Sequence, residues 1–163
     1  EEGHIIKQEN FSLAERKRRE DLFNNLGHPF PVLLFDEVID LVRGERIKTF
    51  KLITANEFYL AGHFPGNPIV PGVLTLEGMI QSAIFLVAET FSRGKLECSL
   101  QKVGRVRFKR PIYPGDRLEF SVQVDKREDP NWHFRGQAQI GQENAAEAQF
   151  SLHVDFREVG FEI

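Results

Sequence analysis

The stretch AGHFPGNPIVP, residues 61–71, runs directly into GVLTLEGMIQSAIFLVAETF, residues 72–91, and this junction decides how the chain folds. Gly62, Pro65, Gly66, Pro68 and Pro71 crowd its first half, and such density of Pro and Gly fixes an irregular loop closely. From Val73 to Phe91 the pattern predicts a single helix of about five turns at the standard rise. Pro71 stands where a first-turn proline is tolerated. Val73, Leu74, Leu76, Met79, Ile80, Ala83, Ile84, Leu86 and Val87 occupy nearly every face. A helix apolar all round, in a chain with no long uninterrupted apolar run, is expected to be a buried central helix. Glu77 and Gln81 stand out against it, one turn apart on one side.

Working outward, the segments on either side read as strands. Val32 to Val42 is β-branched and apolar with Asp36, Glu37 and Asp40 interspersed, and Arg43-Gly44-Glu45 is a turn. Ile47 to Ile53 then alternates, as the second strand of a hairpin should. After Gly94, strands are predicted over 96–109, 117–126, 132–140 and 145–157, separated by Pro114-Gly115-Asp116, Asp129-Pro130-Asn131 and Gly141-Gln142-Glu143-Asn144. Further upstream, Ser12 and Glu15 form a capping box before a charged helix over 13–26, closed by Gly27 and Pro29. Its cluster Arg16-Lys17-Arg18-Arg19 reads as a solvated helix face, and residues 1–10 as a frayed end. The expected organisation is an N-terminal polar and helical extension over 1–21 and one domain over 22–163. The class is α+β, a long central helix wrapped by a curved antiparallel sheet.

Bulk properties restrict the function. A chain of 163 residues holds one domain with a real core. The formal net charge of −3 provides no field that points to nucleic acid or a membrane surface. Cys98 is the lone cysteine and has no metal-ligand spacing around it; a small half-buried strand residue is the expectation. With no leader pattern visible, the expected compartment is the reducing cytoplasm. The 15 phenylalanines suit an apolar core and an apolar ligand pocket alike.

Three features of the central stretch carry chemistry. His63, held in the stiff loop, is either a general base at neutral pH or a structural histidine bonding loop carbonyls. Glu77 lies in the second turn of an apolar helix, where desolvation favours the neutral acid form that a proton donor needs. The helix start at Gly72-Val73 offers free amides and the positive end of the helix dipole, a possible oxyanion site, or else Gly72 merely permits the turn. A base, an acid and an oxyanion site together suit proton removal beside a thioester with loss of a β-hydroxyl. No metal or redox cofactor is expected.

The segment Gly62-His63-Phe64-Pro65-Gly66-Asn67-Pro68-Ile69-Val70-Pro71-Gly72-Val73-Leu74, with Glu77 and Gln81 after it, resembles the catalytic segment of the bacterial 3-hydroxyacyl-acyl carrier protein dehydratases. The stretch from His28 to Asp36 resembles the family's approach to its first strand, and that from Val106 to Leu118 its later strand-turn-strand signature. The resemblance covers about residues 22–157. It implies a hot-dog fold and a homodimer, often a trimer of dimers, with His63 of one subunit facing Glu77 of the other. It implies dehydration of a (3R)-3-hydroxyacyl chain, linked through phosphopantetheine to acyl carrier protein, in fatty acid or related polyketide or polyene synthesis. Gly72, Val73, Gln81, Phe64 and Pro71 are the implied oxyanion and substrate contacts. Ile80, Ile84 and Tyr59 would line an acyl tunnel, while Lys102, Arg105, Lys109 and Arg110 are candidates for the basic mouth where the carrier docks. Glutamate at 77 resembles the branch that dehydrates without isomerising. The chain departs from the family in Ile80 and Ile84, where small residues are common, and in Phe58-Tyr59-Leu60, where Pro-Phe-Phe is common. A hot-dog thioesterase and a non-catalytic acyl-carrier-binding partner are the competing readings.

Overall fold

In the computed structural model, which describes residues 33–91 and 95–157, a broad antiparallel sheet curls around one long helix. Its strands are β1 (Glu37–Val42), β2 (Arg46–Leu52), β3 (Lys95–Phe108), β4 (Arg117–Glu128), β5 (Asn131–Ile140) and β6 (Glu143–Arg157). Among the described residues they form a single sheet in the order β1-β2-β4-β5-β6-β3. The helix α1 (Gly72–Thr90) lies in the chain between β2 and β3. These two strands are far apart in the sheet, so loop and helix cross its concave face, and β4 to β6 then meander back. This is the expected hot-dog architecture. The predicted helix over 13–26 and its capping box lie outside the described residues, as does the whole 1–21 extension.

Alternation explains the faces. Ile47, Thr49 and Lys51 of β2 stand in register with Val122, Phe120 and Leu118 of β4, the row that meets the helix. The opposite row holds Lys48, Phe50 and Leu52, and Phe50 is buried there because the Arg117 guanidinium lies 3.7 Å above its ring. The predicted strand over 32–42 is shorter than expected: the ladder begins at Glu37. Leu34 instead gives its amide to the Gln81 side chain at 2.8 Å, which pulls that segment off the ladder and onto the helix.

Every residue of α1 from Gly78 to Glu89 is buried. The helix sits close to β4 because Gly78 has no side chain; a Cβ there would collide with the Phe120 ring. Trp132, Phe35, Phe85, Phe120 and Phe134 fill the space between helix and sheet, each contributing roughly 1.5–3 kcal/mol by leaving water. Polar groups inside are satisfied: Ser82 donates to the Gly78 carbonyl and bonds Thr49 Oγ1, each at 2.8 Å. Among the described residues, α1 alone is long and apolar enough to cross a membrane, but most of it is buried by its own sheet, as a core helix is.

Candidate active site

The chain reaches His63 through a series of backbone hydrogen bonds. A 3-10 turn, Phe58–Leu60, follows β2, and His63 N–H donates to the Leu60 carbonyl at 3.2 Å. Phe64 and Asn67 exchange amide–carbonyl bonds of 3.1 and 3.0 Å, and Ile69 N–H donates to the His63 carbonyl at 2.8 Å. The His63–Phe64 peptide is cis, and the two rings stack at 4.2 Å. His63 Nδ1 lies 2.8 Å from the Ile69 carbonyl oxygen. A carbonyl only accepts, so Nδ1 carries the hydrogen and Nε2 of the neutral ring has a lone pair. The histidine is thus structural through Nδ1, and Nε2 is left with no role in holding the loop.

His63 faces a cleft of about 460 Å³ lined by Ile69, Val70, Gly72, Val73, Thr75 and the 108–112 segment, among others. At the helix start the Pro71 carbonyl accepts from Leu74 N–H at 2.9 Å and Thr75 N–H at 3.3 Å. Helix geometry leaves the Gly72 and Val73 amides without intrahelical acceptors, and they border the same cleft as His63. The Phe108 ring packs against Gly72, since a Cβ there would meet it at 2.9 Å. Thr75 is a buried lining residue with no distinguishing signal in the sequence.

Glu77 is half-buried and does not line the His63 cleft of its own chain. Gln81, an expected substrate contact, is bonded to Glu77 within the chain. Its side chain is buried, Nε2 donates to Glu77 Oε1 at 3.0 Å, and Oε1 accepts from Leu34 N–H. Gln81 thus orients Glu77, and the signal was their spacing of one helical turn. Pro71 caps α1 and Phe64 is half exposed at the loop surface. Ile80 and Ile84 pack into the core and border no described cavity, so the structure of one chain does not place them on a tunnel. Tyr59 is partly buried, packs against the core and bonds the Glu57 carboxylate. Burial, reinforced by the Glu57 and Asp36 charges, raises its hydroxyl pKa, and the group stays protonated. Cys98 is half-buried and burial pushes its thiol up to about 12, which leaves it unreactive at neutral pH.

The basic candidates separate into two places. Lys109 and Arg110 line the cleft, Lys109 paired with Glu147 at 2.7 Å and Arg110 with Glu143 and Asp116. Lys102 lies about 20 Å back along β3 at the usual strand rise. There it borders another groove, with Asp125, His133, Gln149 and Ser151. Arg105 is exposed at the β-bulge between Val103 and Val106. Among the described residues no three His, Cys, Asp or Glu side chains gather into a metal-binding group.

A FabA-like domain matches residues 26–149. The chain is 41% identical over 142 residues to a 3-hydroxyacyl-[acyl-carrier-protein] dehydratase FabZ of Verminephrobacter eiseniae, a match spanning 85% of this chain and 93% of the relative. A protein of the same name from Campylobacter hominis is 39% identical, over 82% of this chain and 94% of its own length. Among solved structures, the dehydratase heterocomplex ApeI:P from Xenorhabdus doucetiae is similar with a TM-score of 0.69 at 14% identity, covering 86% of this chain and 91% of that one. A hot-dog-like protein from Thermanaerovibrio acidaminovorans reaches 0.59 at 17% identity, over 71% of this chain and 84% of that one. The two structural likenesses establish the hot-dog fold.

Proposed function

The chain belongs to the FabA-like family, and from that premise we propose that it dehydrates 3-hydroxyacyl chains carried on acyl carrier protein, working as a cytoplasmic homodimer in fatty acid or related acyl-chain synthesis. The observation that carries this reading is the His63 ring. Its Nδ1–H is fixed to the Ile69 carbonyl, so Nε2 is available as a base beside the α1 amides.

The reaction then follows from the groups. His63 Nε2 takes the proton from C2 of the thioester. The electron pair left behind is stabilised through the thioester oxygen by the Gly72 and Val73 amides, an interaction of the kind worth roughly 2.7–4 kcal/mol of barrier per donor. The C3–O bond breaks as the Glu77 carboxyl gives a proton to the departing hydroxyl. The products are a trans-2-enoyl thioester and water. Gln81 keeps the Glu77 carboxyl aimed.

A second copy of the chain supports this arrangement in two ways. It would bring a Glu77 to a His63 cleft that its own Glu77 does not line. It would also cover the helix-facing side of β3, where Leu100, Val103 and Phe108 are 47%, 39% and 54% exposed. Each dimer would hold two composite sites, and assembly into a trimer of dimers is compatible with this unit. Lys109 and Arg110, at the cleft rim, are the residues we assign to carrier docking, with Lys102 and Arg105 outside that rim.

The test follows absorbance of the conjugated enoyl thioester formed from a 3-hydroxyacyl carrier protein. His63→Ala and Glu77→Gln are each expected to lose about 10²–10⁴ of the rate while remaining folded by circular dichroism. Mixing the two inactive variants should restore about a quarter of wild-type activity, because half the dimers are mixed and each of those has one intact site. Wild type that neither forms nor hydrates the enoyl thioester would sink the proposal. Free thiol without enoyl product would favour a thioesterase, and tight carrier binding without turnover a non-catalytic partner.

A further inference from the structure

Lys51 stands in the row of β2 that faces the helix, in register with the core residue Leu118, and only 11% of its side chain is exposed. A lysine so placed is costly unless its charge is matched. Two carboxylates match it: Glu57 Oε1 lies 3.0 Å from Nζ and Asp36 Oδ1 lies 3.6 Å from it. Each of these carboxylates has further partners, Asp36 at the end of β2 and Glu57 at the turn that precedes the His63 loop. Asp36 Oδ2 accepts from Leu52 N–H at 2.7 Å. Glu57 is the cap of the 3-10 turn, and its side chain also meets Thr54 Oγ1 at 3.4 Å and bonds the Tyr59 side chain.

From Glu57 the connection runs directly to the base. The Glu57 carbonyl accepts Leu60 N–H at 3.0 Å, and the Leu60 carbonyl accepts His63 N–H at 3.2 Å. The turn itself is three residues long, with no side-chain cap bond and Phe58 exposed at its surface. So short a turn has little intrinsic stability. Leu60 is buried in the core and Tyr59 packs against it, and the polar tie between the turn and β2 is the ion pair with Lys51.

We propose that Lys51 is a positioning residue for His63: by anchoring Glu57 to β2, it fixes the 3-10 turn from which the His63 loop starts. The inference rests on His63 being the base of the reaction proposed above. It assigns a role to the polar cluster Asp36, Lys51, Glu57 and Tyr59, which touches no reacting atom.

The test is Lys51→Met, which keeps the length and volume of the stem and removes the charge. Leaving the part-buried Glu57 carboxylate without its counter-charge is destabilising, so Lys51→Met/Glu57→Gln serves as the variant that keeps the fold. A base displaced by about an ångström loses rate on the order of 10²-fold. We expect kcat to fall about ten- to hundred-fold in the folded variants, with KM within about twofold, and Lys51→Arg to recover most of it. The amide resonances of Leu60 and His63 should shift while those of β5 stay in place. Wild-type kcat in either folded variant, a change confined to KM, or Lys51→Arg no better than Lys51→Met would each overturn the proposal. His63→Ala, measured alongside, separates the two ideas. If it retains wild-type rate, the base assignment has failed; if it is inactive while Lys51→Met is unimpaired, only the positioning role has failed.

Discussion

The helix-facing rows of β5 and β3 are built from similar residues and end in different surroundings. On β5, Trp132, Phe134 and Ala138 are at most 1% exposed. On β3, Leu100, Val103 and Phe108 are between 39% and 54% exposed. The two rows share one face of one sheet. Phe134 is in register with Phe150 of β6, and Phe150 with Val103 of β3. Geometry explains the contrast. A helix is about 10–12 Å across with its side chains, and strands are spaced about 4.8 Å apart. One helix therefore covers two or three strands, and six need curl or a second helix. The curl suffices for β1, β2, β4, β5 and β6, with Val38 and Leu41 of β1 buried, while β3, at the opposite edge, keeps Leu100, Val103 and Phe108 exposed. The same side chains that close the core at β5 thus form an adhesive edge at β3.

The sharpest way to break this comparison is one substitution in each row. Val103→Asp on β3 places a carboxylate where the proposed second copy packs. We expect a folded monomer by sedimentation and circular dichroism, with dehydratase activity down by about 10²-fold or more, the scale of losing the acid from the site. A Val103→Asp protein that remains a fully active dimer would place the interface elsewhere. Trp132→Ala on β5 should do the reverse. Its loss of about 3–5 kcal/mol would appear as a lower urea midpoint in a protein that still dimerises and turns over at low temperature. A small effect there would mean that the β5 row is less tightly packed than its burial implies.

Most of the fold was legible because it depends on periodicity. The predicted helix, 73–91, and the observed Gly72–Thr90 differ by one residue at each end. The predicted strands over 117–126, 132–140 and 145–157 grew by at most two residues at either end. What the sequence hid depends on partners far along the chain. Gln81 reads as a polar residue near a ligand until Leu34, 47 positions away, is found holding its other end. Lys51 fits the alternation of β2 as one more residue, and only the pairing with β4 reveals that it points inward. The 3-10 turn at 58–60 is too short to leave a period. The exposure of β3 was equally hidden, since Leu100, Val103 and Phe108 match the pattern of any half-buried strand. Their bareness is a property of where β3 lies in the sheet.

The smallest expected effect concerns the other face of the β3 edge. Opposite the bare apolar row, Glu147 of β6 pairs with Lys109, just past the end of β3, and with Arg107 of β3, at 2.7 and 3.9 Å. The bond from Lys109, then the charges of Lys109 and Arg107, holds the Glu147 carboxyl below its ordinary range. A carboxylate whose pKa is lower folded than unfolded adds stability above the unfolded value and loses it as pH falls through the folded one. Glu147→Gln should therefore lower the urea midpoint slightly at neutral pH. The gap should close as pH falls below the usual carboxylate range, and shrink in high salt because the pair is open to solvent. A gap that persists unchanged into acid would mean that packing, and not charge, joins the outer faces of β6 and β3. If the gap behaves as expected, the ladder and this weak pair are what hold the β3 edge to its own chain, and its apolar row is left for the second copy.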